Sequence, residues 1–287
     1  MYTEEIQAMS NAAENKVVFM NRSPMGYFLL SALAGVYLGF GIVLIFSIGG
    51  PVAQSSFQPF LKLLMGASFG VALSLVVFAG AELFTGNNMV FAVGRLSRQM
   101  GYVTIVKLFA ICFVGNLAGS LLLAWLVAES GVLGSSTRDL LATVAAGKMG
   151  LGVKEAFLRG VLCNWLVCLA VWIAARTKSE TARLVMIFWC LFAFIGSGFE
   201  HSIANQSLLG LALMLPHGPE VSIMGFVYNQ ILVTAGNLVG GGIMVGAVYW
   251  FASQESKKAD EENEVVSASL YDANSLNEIR VLPVRER

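Results

Sequence analysis

Gly198-Phe199-Glu200-His201-Ser202-Ile203-Ala204-Asn205 lies inside an apolar run that extends from Leu184 to Leu215. The run is more than long enough for a membrane helix, which needs roughly 20 apolar residues to cross a bilayer. Adjacent Glu and His side chains are costly in hydrocarbon, and Gly196 and Gly198 loosen the helix just before them. Non-helical backbone survives at that depth only where protein buries it or where it lines a cavity. The stretch therefore reads as an elbow between two half-helices, with Glu200 and His201 at the join.

A second copy stands upstream. Gly80-Ala81-Glu82-Leu83-Phe84-Thr85-Gly86-Asn87 interrupts the apolar run from Leu61 to Val93, with the same Gly-x-Glu-x-x-x-x-Asn spacing. Gly115-Asn116-Leu117-Ala118-Gly119 is echoed by Gly236-Asn237-Leu238-Val239-Gly240. The offsets nearly agree, 200 − 82 = 118 and 237 − 116 = 121. The pattern predicts an internal duplication of about three helices, with repeats near 23–130 and 150–252. Glycine-interrupted spans at matching places in two halves are the sequence mark of a transport site near the bilayer midplane.

Composition supports this. The chain of 287 residues is 56% hydrophobic and 13% charged, with mean hydropathy +0.72, whereas soluble domains are about 25% charged. An integral membrane protein in contact with lipid is expected. Formal net charge is zero, so nothing points to nucleic acid. Cys112, Cys163, Cys168 and Cys190 all sit in apolar runs without metal-ligand spacing and read as buried thiols. No metal site or cofactor is expected, and the polar first twenty residues do not read as a cleavable signal.

In chain order, residues 1–22 read as an amphipathic helix through Ile6, Met9, Ala13, Val17 and Met20, lying on the membrane or packed under the bundle. Six passages follow, at 26–48, 61–93, 103–127, 156–175, 184–215 and 224–251; the second and fifth are broken, near 80–88 and 198–205. Residues 128–155 are an outer connection. Lys16, Arg22, Arg95, Arg98, Lys107, Arg176, Lys178, Arg183, Lys257 and Lys258 share the side of the N-terminus, against Lys62, Arg138, Lys148, Lys154 and Arg159 opposite. That bias predicts cytoplasmic termini. Glycines such as Gly35, Gly39, Gly119, Gly236 and Gly240 read as packing seams. Residues 253–287 read as a disordered cytoplasmic tail beyond a channel domain at 1–252.

His201 is the sharpest candidate for chemistry, since an imidazole can donate a hydrogen bond or pass a proton to a weak acid's anion. A histidine that merely ties two helices together is the plainer reading. Glu82 and Glu200 would repel an anion, so they read as acceptors for the freed elbow amides or as contacts across a protomer interface. Lys148 reads either as a charge that concentrates anions at a cavity mouth or as a lysine snorkelling to the interface. Asn164 reads as an interhelical amide or a pore liner, and Asn116 and Asn237 as helix glue. Thr85 either meets a passing solute or closes its turn. Phe69, Leu73, Leu83, Phe194 and Phe199 flank the breaks as core or as dry constrictions.

On Ala81-Glu82-Leu83-Phe84-Thr85-Gly86 and Gly198-Phe199-Glu200-His201-Ser202-Ile203-Ala204-Asn205, the chain resembles the formate/nitrite transporter family over about residues 1–252. The resemblance implies an all-α, aquaporin-like bundle of six helices with inverted three-helix repeats, in a bacterial inner membrane. It also implies a homopentamer with one pore per protomer. It makes His201 the central pore histidine, Lys148 the vestibule lysine, Asn164 the pore asparagine and Thr85 the loop threonine. It assigns the constrictions to Phe69, Leu73, Leu83 and Phe194. Leu83-Phe84-Thr85-Gly86 and Leu162-Cys163-Asn164-Trp165-Leu166-Val167-Cys168-Leu169 resemble the nitrite branch, Gly198-Phe199-Glu200 the formate branch. Small monovalent anions, nitrite ahead of formate or hydrosulfide, are the expected cargo. Two readings of other kinds stand beside it: a pore for neutral solutes, and a hydrolase built on Ser197 and His201.

Overall fold

The computed structural model describes residues 2–255, and every regular element among them is helical. Helix α1 (Thr3–Arg22) precedes α2 (Pro24–Ala53). Then come α3 (Leu61–Ser68), α4 (Gly70–Ala79), α5 (Phe84–Leu96) and α6 (Tyr102–Ser130). The second half holds α7 (Ser135–Met149), α8 (Val153–Arg176), α9 (Glu180–Ser197), α10 (Ser202–Met214) and α11 (Ile223–Leu238). Helix α11 widens into a π-helix at Val239–Ala247 and remains helical to Glu255. Among the described residues, six helical spans are long and apolar enough to cross a membrane.

The start of α2 follows from Ser23-Pro24: the Ser23 hydroxyl accepts from the Gly26 amide at 3.2 Å, and Pro24 occupies a first-turn position whose amide would be unpaired anyway. Both predicted breaks are present. Gly80 and Gly198 end α4 and α9 in the left-handed region, at φ 76° and 75°, where a side-chain-bearing residue is disfavoured by about 1–2 kcal/mol. Each chain then runs extended, through Leu83 (φ −103°, ψ 121°) and His201 (φ −113°, ψ 116°), before α5 and α10 begin. The breaks are shorter than the spacing predicts, at 80–83 and 198–201, because the half-helices absorb the residues that follow.

The halves pack alike. α2 lies along α6 and α8 along α11, while α10 packs on α6 and α5 on the π-helical part of α11. Glycines make the first two seams close: a Cβ at Gly35 or Gly119 would overlap the carbonyl oxygens of Asn116 and Ala32, and one at Gly236 or Gly240 those of Phe157 and Val161. These expected seams lie within the protomer. α3 meets α9 where the halves join.

Two expectations need correction. Residues 128–155 are not simply a connection: they contain α7, which packs on α2 and α10. Short, polar at its start and following a Gly-x-x-Gly turn, α7 lacks the long apolar stripe that marks a span. Residues 253–255, expected in the tail, continue the last helix; the rest of that tail, with Lys257 and Lys258, lies outside the described residues. Helix α1 packs under the bundle against α5, burying Ile6, Met9, Ala13 and Met20.

Candidate functional site

Each elbow is closed by one asparagine. In the first half, Asn116 Oδ1 accepts from the Phe84 amide at 2.9 Å. Its Nδ2 donates to the carbonyls of Ser31 (2.7 Å) and Glu82 (2.8 Å). In the second half, Asn237 Oδ1 accepts from the Ser202 amide at 2.9 Å, and its Nδ2 donates to Gly160 (2.8 Å) and Glu200 (3.0 Å). The amides of Glu82 and Glu200 donate to the carbonyls of Leu30 and Arg159. Asn116 and Asn237 are thus more than glue: they satisfy the backbone groups that the breaks set free, as a non-aqueous site requires.

The two carboxylates do something other than expected. Neither accepts an elbow amide. Glu82 takes Lys16 Nζ on both oxygens at 2.6 Å and Asn87 Nδ2 at 3.1 Å. Glu200 takes Lys148 Nζ at 2.7 Å and Asn205 Nδ2 at 2.7 Å. With the elbow amides already served by carbonyls and asparagines, the carboxylates are left to balance two lysines, and both ion pairs form within the chain. Lys16 is the residue that the sequence reading passes over. Its signal is positional: Lys16 and Lys148 stand in the short helices ahead of the first span of each half, at 148 − 16 = 132 and 135 − 3 = 132.

Two cavities follow the same duplication. One, of about 280 Å³, is lined by Lys16, Gly80, Glu82, Leu83, Asn87 and Leu73 among others. The other, of about 200 Å³, is lined by Lys148, Gly198, His201, Asn205, Phe194 and Phe199 among others. They share no lining residue. Phe69, buried at the joint of α3 and α4, meets Phe194, which lines the second cavity, edge to face at 5.6 Å. Phe194 in turn lies over the His201 ring at 5.9 Å. Leu73 and Leu83 face the first cavity.

His201 breaks the symmetry, since the matching position is Leu83 (201 − 83 = 118). The ring is buried and both nitrogens are engaged. Nδ1 accepts from the Ala204 amide at 3.0 Å, making His201 the N-cap of α10. Nε2 lies 2.9 Å from Thr85 Oγ1. A backbone N–H pointing at Nδ1 fixes the neutral tautomer with the hydrogen on Nε2, so Nε2–H donates to Thr85 Oγ1. The hydroxyl's own hydrogen remains available. The Thr85 carbonyl accepts from Asn164 Nδ2 at 3.2 Å and from Cys168 Sγ at 3.2 Å. Asn164 also donates to the Asn237 carbonyl at 2.7 Å. Fully buried, it joins the first turn of α5 to α11. Ser197 is exposed at the end of α9, and His201 is not hydrogen-bonded to it.

Six spans, two of them broken and matched across the halves, define an inverted-repeat membrane protein with an aquaporin-like bundle. Residues 3–251 match the family described as formate/nitrite transporter, and the chain belongs to that family. The nitrite transporter NirC of Escherichia coli (strain K12) is 37% identical over 272 residues, covering 94% of this chain and 100% of that protein. A solved FNT family ion channel superposes with TM-score 0.82 at 37% identity, covering 87% of this chain and 99% of the other. A pentameric formate channel with formate bound superposes with TM-score 0.70 at 27% identity, covering 81% and 98%.

Proposed function

We propose that this chain is a bacterial inner-membrane channel that passes small monovalent anions, nitrite before formate, as a homopentamer with one path through each protomer and cytoplasmic termini. The observation that carries this reading is His201, which lines the Lys148 cavity and is hydrogen-bonded across the halves to Thr85. The preference for nitrite rests on the full-length likeness to NirC, against the lower identity of the formate channel structure. The pentamer rests on that channel's own assembly.

Lys16 and Lys148 stand at the two cavities, each with its charge balanced by a glutamate, and offer their remaining ammonium hydrogens to an anion. The Phe69–Phe194 collar blocks a bare ion, for which desolvation still costs several kcal/mol after relaxation. At the collar, His201 Nε2–H polarises the Thr85 hydroxyl, whose free hydrogen binds the stripped anion. Protonating Nδ1 would set a donor against the Ala204 amide, so the ring serves as a hydrogen-bond donor and polariser before it serves as a carrier. A neutral-solute pore would have no use for a lysine at each mouth. A hydrolase would need His201 on its serine, and the ring nitrogens are occupied elsewhere.

The test is uptake of nitrite, formate and hydrosulfide by proteoliposomes, with current and lumenal pH recorded together. Nitrite uptake with a coupled current or pH change is expected. Swelling in a neutral solute without either would overturn the reading.

A further inference from the structure

Lys148 is held at both ends by one closed ring of hydrogen bonds. Its ammonium donates to Glu200 Oε1 at 2.7 Å, and Asn205 Nδ2 donates to Glu200 Oε2 at 2.7 Å. Asn205 Nδ2 also donates to Asn229 Oδ1 at 2.9 Å, and Asn229 Nδ2 returns to the Lys148 carbonyl at 3.0 Å. The ring draws on α7, the second elbow with α10, and α11. Asn229 is fully buried. The Lys148 carbonyl lies in the last turn of α7 and has no partner within that helix, so the Asn229 amide caps the helix end.

The first half has no such ring. The position matching Asn229 is Leu108 (229 − 121 = 108), buried and apolar. Asn87 turns instead to Tyr27 Oη at 3.3 Å and Cys112 Sγ at 3.7 Å. Lys16 is tied through its ammonium to Glu82, and its carbonyl lies inside α1, which runs on to Arg22 and pairs that group itself.

From this contrast we infer that Asn229 is a positioning residue for Lys148: it fixes the end of α7 so that the ammonium stands at the cavity wall before an anion arrives. The inference rests on the proposed passage of anions. Physically, the ring removes in advance the rotamer freedom that a lysine would otherwise lose on meeting its ligand. Asn229 itself does not line that cavity; it acts through Lys148 and Asn205.

The test uses the full chain in proteoliposomes, with initial nitrite uptake measured against nitrite concentration. Asn229→Leu, which opens the ring at two bonds, is made alone and together with Lys148→Ala. Asn229→Asp, similar in size, keeps the acceptor for Asn205 but loses the donor to Lys148. Both single variants are expected to raise the half-saturating nitrite concentration ~3- to 10-fold while changing the maximal rate little. Combined with Lys148→Ala, Asn229→Leu is expected to add nothing further. Equal factors with and without Lys148 would show a strut with no tie to the lysine and overturn the inference; so would an unchanged half-saturation in both single variants. If Asn229→Leu fails to assemble, Asn229→Asp decides by the same comparison. Failure of the unsubstituted chain to pass nitrite would overturn the proposed function, and this inference with it.

Discussion

Thr85 and His201 come from opposite halves of the chain, 116 positions apart, and meet side chain to side chain at 2.9 Å. The contact joins the first turn of α5 to the N-cap of α10, so one hydrogen bond couples both broken spans. Thr85→Val keeps the shape and removes the hydroxyl. It should lower nitrite flux about tenfold, the equivalent of one lost hydrogen bond of roughly 1.4 kcal/mol. Thr85→Ser should retain most of the flux. Stopped-flow uptake in proteoliposomes distinguishes the two.

His201→Phe keeps an aromatic ring under Phe194 and removes both ring nitrogens. If the proposed passage takes a species close to neutral, uptake in the unsubstituted protein should rise as the external pH falls. The substitution should flatten that profile. A pH series of initial rates, with lumenal pH followed by a trapped dye, reads it directly; equal profiles would remove His201 from the mechanism.

The lysines should act from opposite sides. Lys148→Ala should raise half-saturation for nitrite added at the cavity that Lys148 lines, and Lys16→Ala for nitrite added at the other. Vesicles with the protein inserted in one known direction separate the effects. Each substitution also leaves a carboxylate without its cation, which typically costs about 3–5 kcal/mol for a buried pair. The Glu200 carboxylate is the more enclosed, with its side chain 3% exposed against 12% for Glu82, so Lys148→Ala should lower Tm more.

Gly198→Ala puts a methyl group on a left-handed residue that has no heavy atom close enough to clash with it. The cost should therefore be backbone strain alone, about 1–2 kcal/mol. Gly198→Asn should cost less, because asparagine tolerates that region better than other side chains. Thermal unfolding in detergent should rank them glycine, asparagine, alanine.

Much of this was legible in the sequence because it rests on cost. Ionisable residues and glycines inside long apolar runs are hard to reconcile with unbroken helices, so the elbows, their mates and the six spans could be read from residue type and spacing. His201 also stood out by residue type, an imidazole in an apolar run, while its match to Leu83 in the other half emerged with the geometry of the elbows. Lys16 was hidden because an amphipathic helix with a lysine on it resembles any surface helix; only the match with α7 singles it out, and α7 itself lacked a span's apolar stripe. The partners of Glu82 and Glu200 were misread for a related reason. Spacing shows that the elbow amides need acceptors, but not that Asn116 and Asn237, distant in sequence, reach them first. Asn229 carried no local mark, since an amide in a helix gains meaning only from the chain end it caps.

Each elbow is bonded by asparagine and carbonyl partners from its own half: Asn116 and Leu30 for one, Asn237 and Arg159 for the other. Each kink is thus held by its own repeat, so the two copies can carry different side chains at the bend, imidazole in one and leucine in the other, without disturbing each other's backbone bonds.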